Sequence, residues 1–367
     1  MICKELIQIV EECAPKKYAE NWDNVGLLVG KENQTVEKIM IALDATEDVI
    51  DQCVARQVDL LITHHPMLFS SMKRVTWDTV TGRKIMKLVQ NDIACYAIHT
   101  NFDVCVMATE AANRLELSNQ QVLLPTTEDV YYKLVVYVPT DSIDKVRGAL
   151  TKCGAGYIGN YSDCTFGAKG TGTFRPLEGT SPYIGDLNEL EFVDEVRLET
   201  IVKEENLDQT IQSMLRVHPY EEVAYDVYQL SNKGNEEGIG RYGYLQEDMT
   251  LRQLAEFVKF KFDISNVNVV GDLNKKVARV AISTGAGKSM IQHALKAKVD
   301  VLITGDIDHH SALDAKEAGL SIIDASHYGT EHFMVEYMKQ YLLSHFDETA
   351  NHIEVLMAKE EHPFTII

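Results

Sequence analysis

IMIALDATEDVIDQCVARQVDLLITH (39–64) decides the fold. It begins and ends with apolar runs of strand length, Ile39–Leu43 and Val58–Thr63. Between them Val49, Ile50, Cys53 and Val54 recur at the spacing of one helix face, and Thr46 stands where an N-cap belongs. Strand, helix and strand in that order form a β-α-β unit. Its strands must run parallel, because the helix carries the chain back across the sheet.

The same pattern recurs 241 residues later, in VAISTGAGKSMIQHALKAKVDVLITG (280–305). IMIALDAT stands against VAISTGAG, and VDLLIT (58–63) against VDVLIT (299–304). The helix positions Val49, Ile50, Cys53 and Val54 stand against Met290, Ile291, Ala294 and Leu295. One such stretch could be generic patterning, but a shared register across both strands and the helix argues for duplication. GRKIMKLVQNDIACYAIHT (82–100) and SALDAKEAGLSIIDASH (311–327) extend the match as helix then strand. The expected fold is therefore α/β, with two pseudo-symmetric β-α-β halves around a cleft. Ligands of open α/β sheets gather beyond the carboxyl ends of the strands, so both halves contribute to that cleft.

Outward from the repeat, residues 2–13 carry apolar positions at helical spacing and stop before Pro15. NWDNVGLLVG (21–30) is a turn feeding a strand, and TEAANRLEL (109–117) is a helix. The middle of the chain departs from the repeat. DVYYKLVVYVP (129–139), DSIDKVRGALTKCG (141–154), DCTFGAKGTGTFRP (163–176), ELEFVDEVRLETIVK (189–203), LDQTIQSMLRVHP (207–219) and EEVAYDVYQL (221–230) read β-α-β-β-α-β, the ferredoxin-like order. Asp141 or Ser142 is the expected cap of the first of these helices. SNKGNEEGIG (231–240) reads as an exit linker. The domain reading is thus 1–126 as the first half of an α/β domain, 127–235 as an inserted α+β ferredoxin-like domain, and 236–367 as the second half. A turn and a helix from Leu251 are expected after the linker, a helix at 330–343, and a closing strand at IEVLMA (353–358).

Lys and Arg number 35 and Asp and Glu 55, a formal net charge of −20. That balance repels polyanions and excludes a general nucleic-acid binder. A small phosphorylated substrate stays open, because bound cations reverse the local field. Seven scattered cysteines without a CxxC pair read as free thiols of a reducing compartment. The start has no signal-peptide core, and no apolar run approaches the roughly 20 residues that span a bilayer. The expectation is a cytoplasmic protein without a membrane partner.

Three polar segments follow predicted strands. THHP (63–66) offers His64 and His65 where a buried strand ends; the plain alternative is a surface pair or a ring bonded within a turn. IHTNFD (98–103) offers Asp103 as a ligand candidate, or else a turn-forming Asp, and His99 as a supporting group or proton shuttle. SHYGTE (326–331) offers His327 and Glu331, one helical turn apart if a helix begins near Ser326; capping is the alternative. Together the five groups exceed a closed four-coordinate zinc site and suit two divalent ions with a shared carboxylate. Imidazole and carboxylate accept Zn, Fe or Mn. GDIDHH (305–310) is a competing cluster, expected to support the site or touch substrate. STGAGKS (283–289) lacks the first glycine of a P-loop, since Ile282 stands there; Gly285 and Gly287 could still allow close substrate approach. HPYEEVAYDV (218–227), with an exposed-looking His218 and the pair Glu221 and Glu222, reads as a helix-to-strand turn that could serve assembly.

NWDNVGLLVG, LLITHHP (60–66), AIHTNFD (97–103), STGAGKS, LITGDIDHH (302–310) and DASHYGTE (324–331) occur in an order that resembles the GTP cyclohydrolase I type 2 homologue family, also called the NGG-interacting-factor-like family. The resemblance covers about 1–125 and 240–367. It implies two similar halves around a dinuclear metal site with His64, His65, Asp103, His327 and Glu331 as ligands. It further implies an insertion similar to PII-type signalling and copper-tolerance proteins, and a toroidal homohexamer. VCVMATEAA (104–112) departs from the family's Gly-Gly-Val-Asn-Asp-like stretch. The expected function is a dinuclear metal-dependent hydrolase of GTP-cyclohydrolase type acting on a small molecule such as a nucleotide, with His99 and Glu331 as catalytic groups. The alternatives are another phosphoester or amide hydrolase, and a non-catalytic metal-binding regulatory or scaffold protein.

Overall fold

The structure, a computed structural model, describes residues 1–346 and 352–365. The chain divides into two compact units, one of Met1–Thr127 with Glu237–Ile367 and one of Glu128–Glu236.

In chain order the first unit begins with α1 (Cys3–Cys13), β1 (Gly26–Val29), β2 (Lys38–Ala42), α2 (Glu47–Arg56), β3 (Leu60–Thr63), α3 (Val80–Gln90) and β4 (Ala94–Ala97). A continuous helical stretch follows: α4 (Thr100–Phe102), a π-helical turn (Asp103–Met107) and α5 (Ala108–Arg114), then β5 (Ser118–Glu128). The second unit holds β6 (Tyr131–Pro139), α6 (Ile143–Lys152), β7 (Thr165–Phe174), β8 (Glu191–Lys203), α7 (Glu204–Val217) and β9 (Tyr225–Gln229). The chain returns through β10 (Glu236–Thr250), α8 (Leu251–Lys261), β11 (Asn268–Val270), β12 (Lys276–Ala286), α9 (Ile291–Lys296), β13 (Val301–Gly305), α10 (His309–Glu317), β14 (Ser321–Asp324), α11 (His327–Glu331), α12 (Phe333–His345) and β15 (Glu354–Met357).

One sheet of the first unit has the order β1-β4-β3-β2-β15 and the other β11-β14-β13-β12-β10-β5. In each, three central strands run parallel and a short antiparallel strand closes one edge. Ile39 pairs with Leu60, and Val280 with Val301, so the two repeated stretches are strands in the same register. Alternation along each strand then sorts side chains between two faces. Ile39, Ile41, Leu60 and Ile62 enter one core together with Val280, Ile282, Val301 and Ile303. The opposite face of the first sheet, Met40, Ala42 and Leu61, is covered by Val49, Ile50 and Cys53 of α2. On the second sheet, Ala281 and Leu302 are covered by Met290, Ile291 and Ala294. The helix positions matched by sequence are the ones that cover the sheets.

In the second unit all neighbouring strands of the order β7-β8-β6-β9 are antiparallel, and α6 and α7 bury Val146, Leu150 and Met214 against Leu134, Val136 and Leu198.

Four expectations need correction. Residues 118–128 and 236–250, read as connection, linker and turn, form the neighbouring strands β5 and β10. Their alternation is weak because much of each strand is exposed. The helix expected at 109 begins at Thr100, so Asp103 lies in a helix rather than a turn. Neither expected cap closes α6 by a side-chain bond: Ser142 occupies the N-cap position, but its hydroxyl donates to Asp141 instead. His218 is buried rather than exposed. Among the described residues no helix is long and apolar enough to cross a membrane, and the seven cysteines are free, three of them buried.

Candidate metal centre

The five singled-out residues come together in the first unit. Parallel pairing puts the ends of β3 and β4 side by side, Thr63 against Ala97, so His64 and His65 emerge beside the start of α4. Ser326 caps α11, its hydroxyl accepting from Gly329 N at 3.0 Å, and the helix carries His327 and Glu331 on one side. His64 Nε2 lies 3.4 Å from Asp103 Oδ1 and 3.8 Å from Glu331 Oε1. The Nε2 atoms of His65 and His327 each lie 3.2 Å from Glu331 Oε2 and 3.1 Å from each other. Ligand-type atoms of His65, His327 and Glu331 form one compact group, and those of His64, Asp103 and Glu331 a second. Glu331 belongs to both. A third group joins His64, His65 and His99.

The outer nitrogen of each ring is already engaged. His64 Nδ1 donates to the Ile98 carbonyl at 2.8 Å. His65 Nδ1 meets Asp44 at 2.9 Å, and His327 Nδ1 meets Asp306 at 2.7 Å. These bonds hold a hydrogen on Nδ1 and point Nε2 inward, the orientation that metal-binding imidazoles adopt. Meanwhile His64 Nε2 and Asp103 Oδ1 are buried without a hydrogen-bond partner. Buried polar atoms are expensive to leave unpaired. Two of them 3.4 Å apart, with the Glu331 carboxylate beside them, fit a cation as the missing partner.

Electrostatics agree. Burial holds His64 down to about 3, so it is a neutral ring with a free lone pair. Burial and the neighbouring Glu331 charge push Asp103 up to about 7. Glu331 is also buried, yet its bonds to His327 and His65 hold it ionised, well below the usual carboxylate range. Burial disfavours a charged His65, but Asp44 and Glu331 overcome it and raise the ring to about 10. Glu331 likewise raises His327, to about 9.

Glycines shape the wall. Gly285, at φ +68°, lies so close that a Cβ there would fall 2.5 Å from Glu331 Oε1. A Cβ on Gly287 would overlap Thr304. These residues admit neighbouring protein atoms rather than an anion, which corrects the expectation of substrate approach. Of the competing cluster, Asp306 supports His327, while Asp308 caps α10 and pairs with Lys288. His309 and His310 are exposed and do not reach the site.

Sequence reading missed Asp23, Asp44, Trp22 and Phe69. Asp23 holds His99 Nδ1 at 2.9 Å. Trp22 and Phe69 approach the His99 ring edge-on at 5.9 and 5.7 Å while remaining 63% and 59% exposed. At the repeat offset, Asp306 occupies the position of His65 and Gly285 that of Asp44, so the repeat carries no signal for Asp44. Beside His65 and His327 opens a cavity of about 1020 Å³, also lined by Asp44, Asp48, Arg56, Lys359, Glu360 and Glu361.

Fold and site together define an α/β protein with clustered histidines and carboxylates suited to divalent metal, consistent with two ions. The chain matches the Duf34/NIF3 (NGG1p interacting factor 3) family over residues 1–363. It is 42% identical over 367 residues to the Bacillus subtilis protein called GTP cyclohydrolase 1 type 2 homolog, covering 99% of this chain and 98% of that one. A solved Bacillus cereus protein related to NIF3 superposes with TM-score 0.90 at 40% identity, covering 100% of this chain and 99% of that one. A Staphylococcus aureus protein superposes with TM-score 0.82 at 31% identity, with coverage of 100% and 99%. The chain belongs to the Duf34/NIF3 family.

Proposed function

We propose that this protein is a dinuclear metal-dependent hydrolase in which His64, His65, Asp103, His327 and Glu331 hold two divalent ions, Zn, Fe or Mn, with Glu331 shared. The observation that carries this reading is the buried, unpartnered pair His64 Nε2 and Asp103 Oδ1, 3.4 Å apart, beside a Glu331 carboxylate whose Oε1 approaches His64 and whose Oε2 approaches His65 and His327. Bound there, two cations would supply Lewis acidity and a water acidified towards neutrality. The chain does the rest. Asp44 and Asp306 fix the rings that present Nε2. His99, oriented by Asp23 through Nδ1, keeps its other nitrogen for moving a proton to or from the reacting molecule. Glu331 keeps its negative charge between the two groups and so anchors both.

GTP is the substrate suggested by the name of the Bacillus subtilis relative. The exposed Trp22 and Phe69 beside His99 support a planar ring as substrate. The cavity favours a second reading, a phosphoester or amide of low charge, because Asp44, Asp48, Glu360 and Glu361 outnumber Arg56 and Lys359 on its wall. The same proposal takes residues 127–235 as an inserted PII-like, ferredoxin-like domain between two duplicated halves. The order β7-β8-β6-β9 and the β-α-β-β-α-β succession support it. It also takes the protein as a cytoplasmic homohexamer, on family resemblance.

The test is to measure metal in anaerobically purified protein and to screen the loaded form against nucleotides, phosphoesters and amides, following products by mass. Metal-dependent turnover of one class supports the reading. Full metal occupancy with no turnover in any class overturns the enzyme.

A further inference from the structure

The motif HPYEEV, which the metal chemistry does not use, borders a cavity of about 310 Å³ inside the unit Glu128–Glu236. We propose that this cavity binds a small organic ammonium ion, a binding activity beyond the hydrolase reading. Four aromatic side chains line it, Tyr137, Phe174, Tyr183 and Tyr220, and the last three lie close to one another. The Phe174 and Tyr220 ring centroids are 6.0 Å apart with planes at 58°, and those of Tyr183 and Tyr220 are 6.2 Å apart at 53°. Rings tilted in this way make walls of a cage rather than a stack. Aromatic faces carry negative potential and attract a cation whose alkyl substituents also gain from leaving water.

The acids of the lining agree with the rings. Glu195, Glu221 and Glu222 all border the cavity, and none forms an ion pair with a cationic side chain among the described residues. Arg175, the one basic residue of the lining, donates to the Asn188 carbonyl. Glu195 is positioned by two features. It accepts from the Tyr220 hydroxyl at 2.8 Å, and it lies over Gly172, where an added Cβ would fall 2.1 Å from its Oε2. Glu221 accepts from Ser181 N at 3.0 Å, which ties the segment bearing Tyr183 to the wall.

A metal ion fits this cavity poorly. His218 has no nitrogen to offer: Nε2 donates to the Tyr137 carbonyl at 3.1 Å, and Nδ1 accepts from Tyr220 N at 3.1 Å. Its ring instead braces Tyr220, with centroids 5.1 Å apart. The lining charge repels an anion. What remains is a compact cation with an apolar surface, within the size range of small-molecule pockets.

The test uses the full chain, titrated calorimetrically with choline and with 3,3-dimethylbutan-1-ol, its uncharged isostere. Choline is expected to bind one per chain, and the alcohol about tenfold more weakly or not at all. Tyr183→Ala, at an exposed position, and Gly172→Ala, whose methyl displaces the end of a flexible Glu195 side chain, should each weaken choline about tenfold. Both variants should keep the circular dichroism of the parent. Equal affinity for choline and the alcohol, no binding up to about 10 mM choline, or binding untouched by both substitutions would each overturn the proposal.

Discussion

At the scale of residues, a carboxylate shared between two histidines competes with metal through protons. In the metal-free protein Asp44 and Glu331 hold a proton on His65 up to about pH 10, and Glu331 and Asp306 hold one on His327 up to about pH 9. Both values are raised above the ordinary histidine range. The stability these protons contribute is therefore complete below about pH 6.5 and disappears as pH rises through 9 to 10. A metal ion must displace them at neutrality. Calorimetric titration with Zn²⁺ at pH 7, in buffers of different ionisation enthalpy, should show net proton release, and affinity should rise with pH; proton-neutral uptake would contradict the assignment. His64→Ala and Glu331→Ala should each lower bound metal, measured by elemental analysis. Asp44→Asn should lower affinity about 10- to 100-fold, because it touches the proposed ligand His65 and not the ion. The sequence betrayed His64, His65, His327 and Glu331 because polar residues at the ends of apolar strands have few structural uses. It hid Asp44 and Asp23 because each works through a ring that lies 21 or 76 residues away in the chain.

At the scale of elements, the register of the parallel strands sets the site. β3 and β4 end together, and α11 begins with the ring that completes the cluster. Gly285, near the end of β12, adopts a left-handed conformation against Glu331. Gly285→Ala should cost about 1–2 kcal/mol in a denaturant titration from backbone strain alone and also reduce metal content, since its methyl occupies the space of the Glu331 carboxylate. Thr46 accepts from Val49 N at the start of α2, and Thr46→Ala should cost about 1 kcal/mol in the same titration. The elements most legible in the sequence were the repeated strands and α2, where burial on both faces or one helical face leaves a strong periodic pattern. β5 and β10 were not legible, because strands exposed along much of their length carry polar residues at either parity. The π-helical turn at Asp103–Met107 was invisible for a different reason: VCVMA has the composition of any apolar helix.

At the scale of the whole molecule, two units have separate cores, and the metal candidates belong to one of them. Scanning calorimetry with metal and with chelator should move the transition of the metal-bearing unit and leave that of the unit Glu128–Glu236 in place; a common shift would show that they melt as one. The homohexamer is tested by light scattering after gel filtration, with a mass six times that of the 41.3 kDa chain as the expected result.

The strand β15 lies in register beside β2, Glu354 against Lys38, across nearly the full length of the chain. On the ribosome, then, the middle unit can finish while the outer one still lacks an edge. His64 and His65 leave the exit tunnel long before Glu331 is translated, so a nascent chain carries metal-seeking rings without the acid that completes them. The cluster can therefore close only late in synthesis, after the middle unit has been made.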